Sequence, residues 1–192
     1  KDAKVVMLGN LHPLVQLGVI EQMNKKPDLV ILDTMNFWMD TALDDLMKVI
    51  SKVDVITIND EEARQLTGEY SLVVAAKKIM TMGPEFVVIK KGEHGALLFF
   101  KDEIFYAPAL PLKEVFDPTG AGDTFAGGFA GYLAKTGDFS FANLKKAIIY
   151  GSALASFSVE KFGTERMVNL NKEELYDRIV QFKNLTQFEL SE

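Results

Sequence analysis

Apolar runs of strand length at residues 5–8, 29–32, 53–58 and 86–89 alternate with helical patterns, and that rhythm leaves few architectures open. The runs lack the polar alternation of a half-exposed strand. They read as strands buried on both faces, as in a parallel sheet whose crossovers carry helices over it. Helical patterns cover residues 13–23, with Leu14, Leu17, Val19, Ile20 and Met23 roughly along one side, then 42–51, then 72–82 ending at Gly83-Pro84. Asn59-Asp60-Glu61-Glu62 starts a short acidic helix that stops near Gly68, as carboxylates in a first turn favour. Residues 95–100 and 104–107, joined by Lys101-Asp102-Glu103, predict an antiparallel hairpin at the sheet edge. Further helices are predicted over 124–135, 141–160 and 172–182. With no repeat, low-complexity tract or linker, residues 1–192 read as one α/β domain: three αβα layers around a mostly parallel sheet with the hairpin at one edge.

Composition excludes several classes of function. A net charge of −6 and a pI near 5.1, with no basic run longer than two residues, argue against a groove that tracks DNA or RNA phosphates. The absence of cysteine rules out disulfides and thiolate metal sites and fits a reducing, cytoplasmic setting. No apolar stretch approaches the roughly 20 residues of a membrane helix, and no signal peptide is legible. Residue 1 is Lys, and a strand follows at once without a lead-in, which suggests a chain that begins inside a larger protein.

The segment Asp117-Pro118-Thr119-Gly120-Ala121-Gly122-Asp123-Thr124-Phe125 sets a carboxylate directly behind a Gly-Ala-Gly turn that opens a helix. Phosphoryl transfer needs that arrangement: small residues let backbone N–H groups converge on an anion at a positive helix end, while a carboxylate waits for a hydroxyl proton. A turn followed by an N-capping Asp would read the same way. Strand-end position adds weight, because ligands of open α/β sheets bind outside the carboxyl ends of the strands. Asp33 to Trp38, Asn59 to Glu62 and Lys90 to Gly95 all stand at such ends.

Each of these segments has a plainer reading beside it. Lys90-Lys91-Gly92-Glu93-His94-Gly95 allows close backbone approach to a ligand, or forms an ordinary turn with solvated lysines. Asn59-x-x-Glu62 places an amide and a carboxylate three residues apart near a metal-bound phosphate, or makes a capping box. Gly120-Ala121-Gly122 half-matches the dinucleotide fingerprint, but Phe125 takes the third small position and Asp123 would face a pyrophosphate. His12 and His94 lack partners at ligand spacing. The cluster Met35-Asn36-Phe37-Trp38-Met39 reads as an exposed aromatic loop, either lining a substrate pocket or lidding the core.

Together these motifs resemble the ribokinase-like, or PfkB-type, carbohydrate and nucleoside kinases, in order and in spacing. The glycine segment is similar to the family's C-terminal signature, Asn59-x-x-Glu62 to its N-x-x-E motif, and Lys90 to Gly95 to its nucleotide loop. The resemblance implies a ribokinase-like fold and an ATP- and Mg²⁺-dependent transfer of the γ-phosphate to a sugar or nucleoside hydroxyl. It implies Asp123 as base, with the amides of Gly120, Ala121 and Gly122 as anion hole. Asn59 and Glu62 would hold Mg²⁺ and phosphates through water; Lys90, Gly92 and Gly95 would border the nucleotide, with Ser152 near the adenosine. Asp117 and Thr119 match positions that hold a monovalent cation, K⁺, in some members.

The departures concern the acceptor. The di-glycine motif, the substrate-binding Asp and the β-sheet lid of the family, through which members often pair as homodimers, have no counterpart before Lys1. The likeness spans nearly all of this chain but only the C-terminal two-thirds of a typical member. Asp33-Thr34-Met35-Asn36 also lacks the D-P-N-x-R form of many sugar kinases. A nucleotide-binding portion without activity of its own is therefore the rival expectation, and a dinucleotide-dependent oxidoreductase a third.

Overall fold

The computed structural model describes residues 2–189. Six strands form one sheet in the order β1 (Val5–Leu8), β2 (Leu29–Asp33), β3 (Val55–Asn59), β4 (Phe86–Lys90), β5 (Ala96–Phe100) and β6 (Glu103–Ala107). The first four are parallel. β5 and β6 complete the predicted antiparallel hairpin at the edge. All five residues of β2 are buried, and so are the first four of β3 and β4, which matches sequences that are apolar without alternation save for Asp33 and Thr57.

Because the parallel strands lie in sequence order, right-handed crossovers send every intervening helix to the same side. α1 (Pro13–Glu21), α2 (Asn36–Thr41), α3 (Leu43–Ile50), α4 (Asp60–Thr67) and α5 (Leu72–Met80) form that layer. Its core joins Leu46, Ile50, Ala63 and Ile79 to Leu32, Ile56, Ile58 and Ile89. The opposite side is covered by α6 (Ala121–Thr136) and α7 (Phe141–Ser158), whose Phe125, Phe129, Leu133 and Ile148 pack on Ile31, Val55, Val88 and Leu98. The three-layer αβα architecture expected from the sequence, mostly parallel with an antiparallel hairpin at one edge, is thus observed. α8 (Glu165–Val168) and α9 (Lys172–Thr186) brace α7 from outside through a network in which Glu160 accepts from Arg166 at 2.9 Å and Arg178 at 2.6 Å.

The structure differs from expectation around Trp38. Residues 36–41 form α2 rather than a loop, and α3 is separated from it by Ala42, whose φ of −149° and ψ of 40° leave the helical region. Trp38 is half-buried against the first core, with its indole N–H donating to Asn10 Oδ1 at 2.8 Å. A six-residue helix is too short to stand alone, so tertiary contacts supply it. Among the described residues no helix is long and apolar enough to cross a membrane.

Candidate active site

Strand periodicity assembles the first part of the site. Asp33, Thr57 and Lys90 follow Ile31, Val55 and Val88 at intervals of two, so they share the sheet face that α6 covers. At the carboxyl end of the strands Asp33 Oδ1 accepts from Thr57 Oγ1 at 2.5 Å and from Lys90 Nζ at 2.6 Å. Both members of the ion pair are largely withdrawn from water, with side-chain exposures of 19% for Lys90 and 11% for Asp33.

Glu62 approaches the same point from α4. Asn59 Oδ1 accepts from the Glu62 amide at 2.7 Å, and Glu62 Oε2 accepts from the Asn59 amide at 2.9 Å. The capping box is therefore formed, and it holds the Glu62 carboxylate where the charges of Lys90 and Asp33 act on it. Burial pushes this carboxyl above the ordinary glutamate range; the Asn59 amide and the Lys90 ammonium oppose the shift, and Asp33 adds to it.

The second part of the site is the start of α6. Gly120 occupies its N-cap position with φ 78° and offers no side-chain cap, as the left-handed turn requires. Thr124 N already donates to Gly120 O at 2.8 Å, and Ala121 N to Pro118 O at 3.2 Å. Of the three amides expected to converge on an anion, that of Ala121 is engaged, while those of Gly120 and Gly122, like that of the next residue, Asp123, have no backbone partner. A Cβ built on Gly122 would stand 3.7 Å from Lys90 Nζ, so the ammonium reaches the helix terminus. Asp123 is exposed at the third helical position. Just upstream, Asp117 Oδ1 accepts from Thr119 N at 2.9 Å, and the Thr119 bonds hold the Asp117 carboxyl below its usual range.

A cavity of about 750 Å³ opens from this terminus. Lys90, Gly92, Gly95, Ala121, Gly122 and Ser152 line it, all named by sequence reasoning. Gly92 begins a single 3₁₀ turn, Gly92–His94. Gly95 has φ 88°, and a Cβ there would lie 2.1 Å from the Ala107 carbonyl, so the turn closes onto the hairpin only with glycine. Asn59, Glu62, Gly120, Asp123, Asp117 and Thr119, also named by sequence reasoning, do not line it.

Sequence reasoning missed the apolar wall: Leu110, Leu112 and Val115 from the segment after β6, with Phe125, Ala155 and Val159 from α6 and the end of α7. The only signal was the apolar spacing of residues 107–112. His94 also lines the cavity, although no ligand spacing marked it. Trp38 does not. Among the described residues no group of three or more His, Cys, Asp or Glu could hold a metal ion.

The sequence matches the pfkB family carbohydrate kinase over residues 14–170. It is 37% identical over 138 residues to a cytidine kinase of Thermococcus kodakarensis, covering 68% of this chain and 48% of that protein. A ribokinase of Staphylococcus aureus is 31% identical over 131 residues, or 66% of this chain and 41% of the relative. The chain thus spans less than half the length of either relative. Among solved structures, a ribokinase of Thermotoga maritima superposes with a TM-score of 0.72 at 27% identity, covering 92% of this chain and 57% of that one. A family match over most of the sequence and a shared fold agree: the chain belongs to the pfkB family of carbohydrate kinases.

Proposed function

We propose that this chain carries the nucleotide-binding and catalytic portion of an ATP-dependent kinase that phosphorylates a hydroxyl of a sugar or nucleoside. One observation carries the reading: unpartnered amides open α6 immediately before and at Asp123, within reach of the Lys90 ammonium, at a cavity large enough for a nucleotide. The acceptor hydroxyl gives its proton to Asp123 as its oxygen bonds to the γ-phosphorus. The bond from that phosphorus to the bridging oxygen breaks, and ADP leaves. The amides of Gly120 and Gly122 and the helix terminus stabilise the charge on the transferring group, with Ala121 shaping the turn.

Adenosine would occupy the apolar wall beside Ser152, with Gly92 and Gly95 against it. The donor set fits Mg²⁺ held through water: Glu62 supplies one buried carboxylate, the kind of ligand a hard cation takes together with waters and phosphate oxygens. Asn59 and Glu62 would hold that ion, which when bound neutralises phosphate charge. The free oxygen of Asp117, with Thr119, would take a monovalent cation such as K⁺.

Replacing Asp123 by Asn in the full-length enzyme tests the proposal. ATP affinity is expected to persist while kcat falls about 10²- to 10⁴-fold, the usual contribution of a positioned base. Near-normal turnover would refute the assignment.

A second reading, a nucleotide-binding module without turnover of its own, is favoured by the exposure of Asp123. ATP titration of the 192-residue chain alongside a kinase assay on a sugar and nucleoside panel separates the two. Phosphorylation of any acceptor by the chain alone removes the second reading.

A further inference from the structure

The kinase reading gives Asp33 no task, yet among the described ion pairs only Asp33 with Lys90 has both side chains less than one-fifth exposed. A pair kept so far from water costs desolvation, and apolar residues of similar volume often fill such a place as well. The pair also stands apart from the core in its direction. Lys90 leaves the end of β4, lines the cavity and reaches Gly122, while Asp33 and Thr57 grip it from the sheet side.

The arithmetic of donors sharpens this. An ammonium has three N–H groups, and among the described residues one is taken, by Asp33. The other two have no described partner and sit beside the unpartnered amide of Gly122. A buried cation with spare donors, next to spare backbone donors at a helix terminus, suits the outer phosphates of a nucleoside triphosphate. The carboxylate behind it serves a second purpose: it sets the position of the flexible lysine before any nucleotide arrives, reducing the ordering cost on binding.

We propose that Lys90 contacts the β- and γ-phosphates and that Asp33, held by Thr57, is a positioning residue acting through Lys90. The proposal rests on the nucleotide reading above. Its test compares ATP with AMP, which shares the base, ribose and α-phosphate but lacks the outer phosphates, by titration calorimetry on the 192-residue chain. Lys90→Met is expected to weaken ATP about 10- to 100-fold, the span of a charge-assisted bond, and AMP less than about threefold. Asp33→Asn weakens ATP by about three- to tenfold and leaves AMP alone.

The double variant Asp33→Asn/Lys90→Met should match Lys90→Met alone, because Asp33 has nothing left to position. Since that double variant leaves no unpaired buried charge, it also supplies the lysine value should Lys90→Met fold poorly. Equal losses for ATP and AMP would mean a structural role and overturn the proposal. So would an Asp33→Asn penalty that adds to that of Lys90→Met. If the unsubstituted chain binds neither nucleotide, the nucleotide reading falls first, and this one with it.

Discussion

A single methyl group at Gly151 tests how α7 holds the start of α6. A Cβ built at this position would stand 2.7 Å from the Phe125 carbonyl oxygen and 3.2 Å and 3.3 Å from two carbons of its ring. Ordinary contact begins at 3.4 Å, so the helices must separate by about 0.7 Å, and the obstacle is backbone rather than a mobile side-chain tip. Overpacking of this kind costs about 1–3 kcal/mol, with a backbone contact toward the upper end. Alanine in a helix interior gives back about 1 kcal/mol. Gly151→Ala should therefore lose about 1–2 kcal/mol net.

Gly131, in α6, is the control: nothing lies within 4 Å of a Cβ there, so Gly131→Ala should gain up to about 1 kcal/mol. Urea midpoints at equal m-values measure both, and melting should move in opposite directions by about 2–4 °C per kcal/mol for a chain of this size. Phe125 is two residues beyond Asp123, so the shift also carries the glycine turn. In the full-length enzyme kcat should fall by more than tenfold, since about 1 Å of misplacement can cost 10²-fold. A Gly151→Ala variant as stable as Gly131→Ala would refute this account of the helix crossing.

Two further predictions concern buried charge. Glu62 is pushed up chiefly by burial, so the folded protein holds its proton more tightly than the unfolded chain; that contribution to stability is present below the ordinary value near 4.5 and lost as pH rises through the raised one. Glu62→Gln keeps an acceptor for the Asn59 amide, so its stability advantage should be larger at pH 8 than at pH 4.5, and an advantage independent of pH would count against burial as the cause. For Glu160, burial pushes upward, but the bonds from Arg178 and Arg166 overcome it and hold the carboxyl below its usual range. Arg178→Met removes its bonds to Glu160 at 2.6 Å and to Ser156 Oγ at 2.8 Å and should cost about 1.5–3 kcal/mol at neutral pH. Because a depressed carboxyl stabilises above its unfolded value and ceases to as pH falls through the folded one, that loss should shrink on acidification, which denaturant midpoints at pH 7 and pH 3.5 would reveal.

Much of the fold was legible because its signals are local. Apolar runs marked five of the six strands within a residue or two, and β3 from two residues inside its run; Gly68 ended α4 in the left-handed conformation where expected; of the expected turn Lys101-Asp102-Glu103, Glu103 instead opens β6 and pairs with Phe100. Helix ends slipped where no cap marks them: α7 stops at Ser158 and α9 runs on to Thr186. α2 and α8, of six and four residues, escaped notice because helices so short have little propensity of their own. The glycine segment and the strand-end motifs gave Lys90, Gly92, Gly95, Ala121 and Gly122 of the cavity lining, but not its apolar wall, which joins loop residues Leu110, Leu112 and Val115 to helix positions far away in sequence.

The sequence alone determined which chemical groups this protein has and at which strand ends they stand, because strand periodicity and glycine punctuation act over a few residues. Only the tertiary structure decided which of those groups meet. Asp33 and Lys90 are 57 residues apart, and nothing in either segment names the other; parallel pairing of β2, β3 and β4 puts both on the α6 face. Asn59-x-x-Glu62 reads as a cap or as a phosphate-side pair; folding forms the cap and brings the Glu62 carboxylate within the charge influence of Lys90. Local patterns fix what each segment offers, whereas long-range packing fixes the distances on which charge and hydrogen bonding depend.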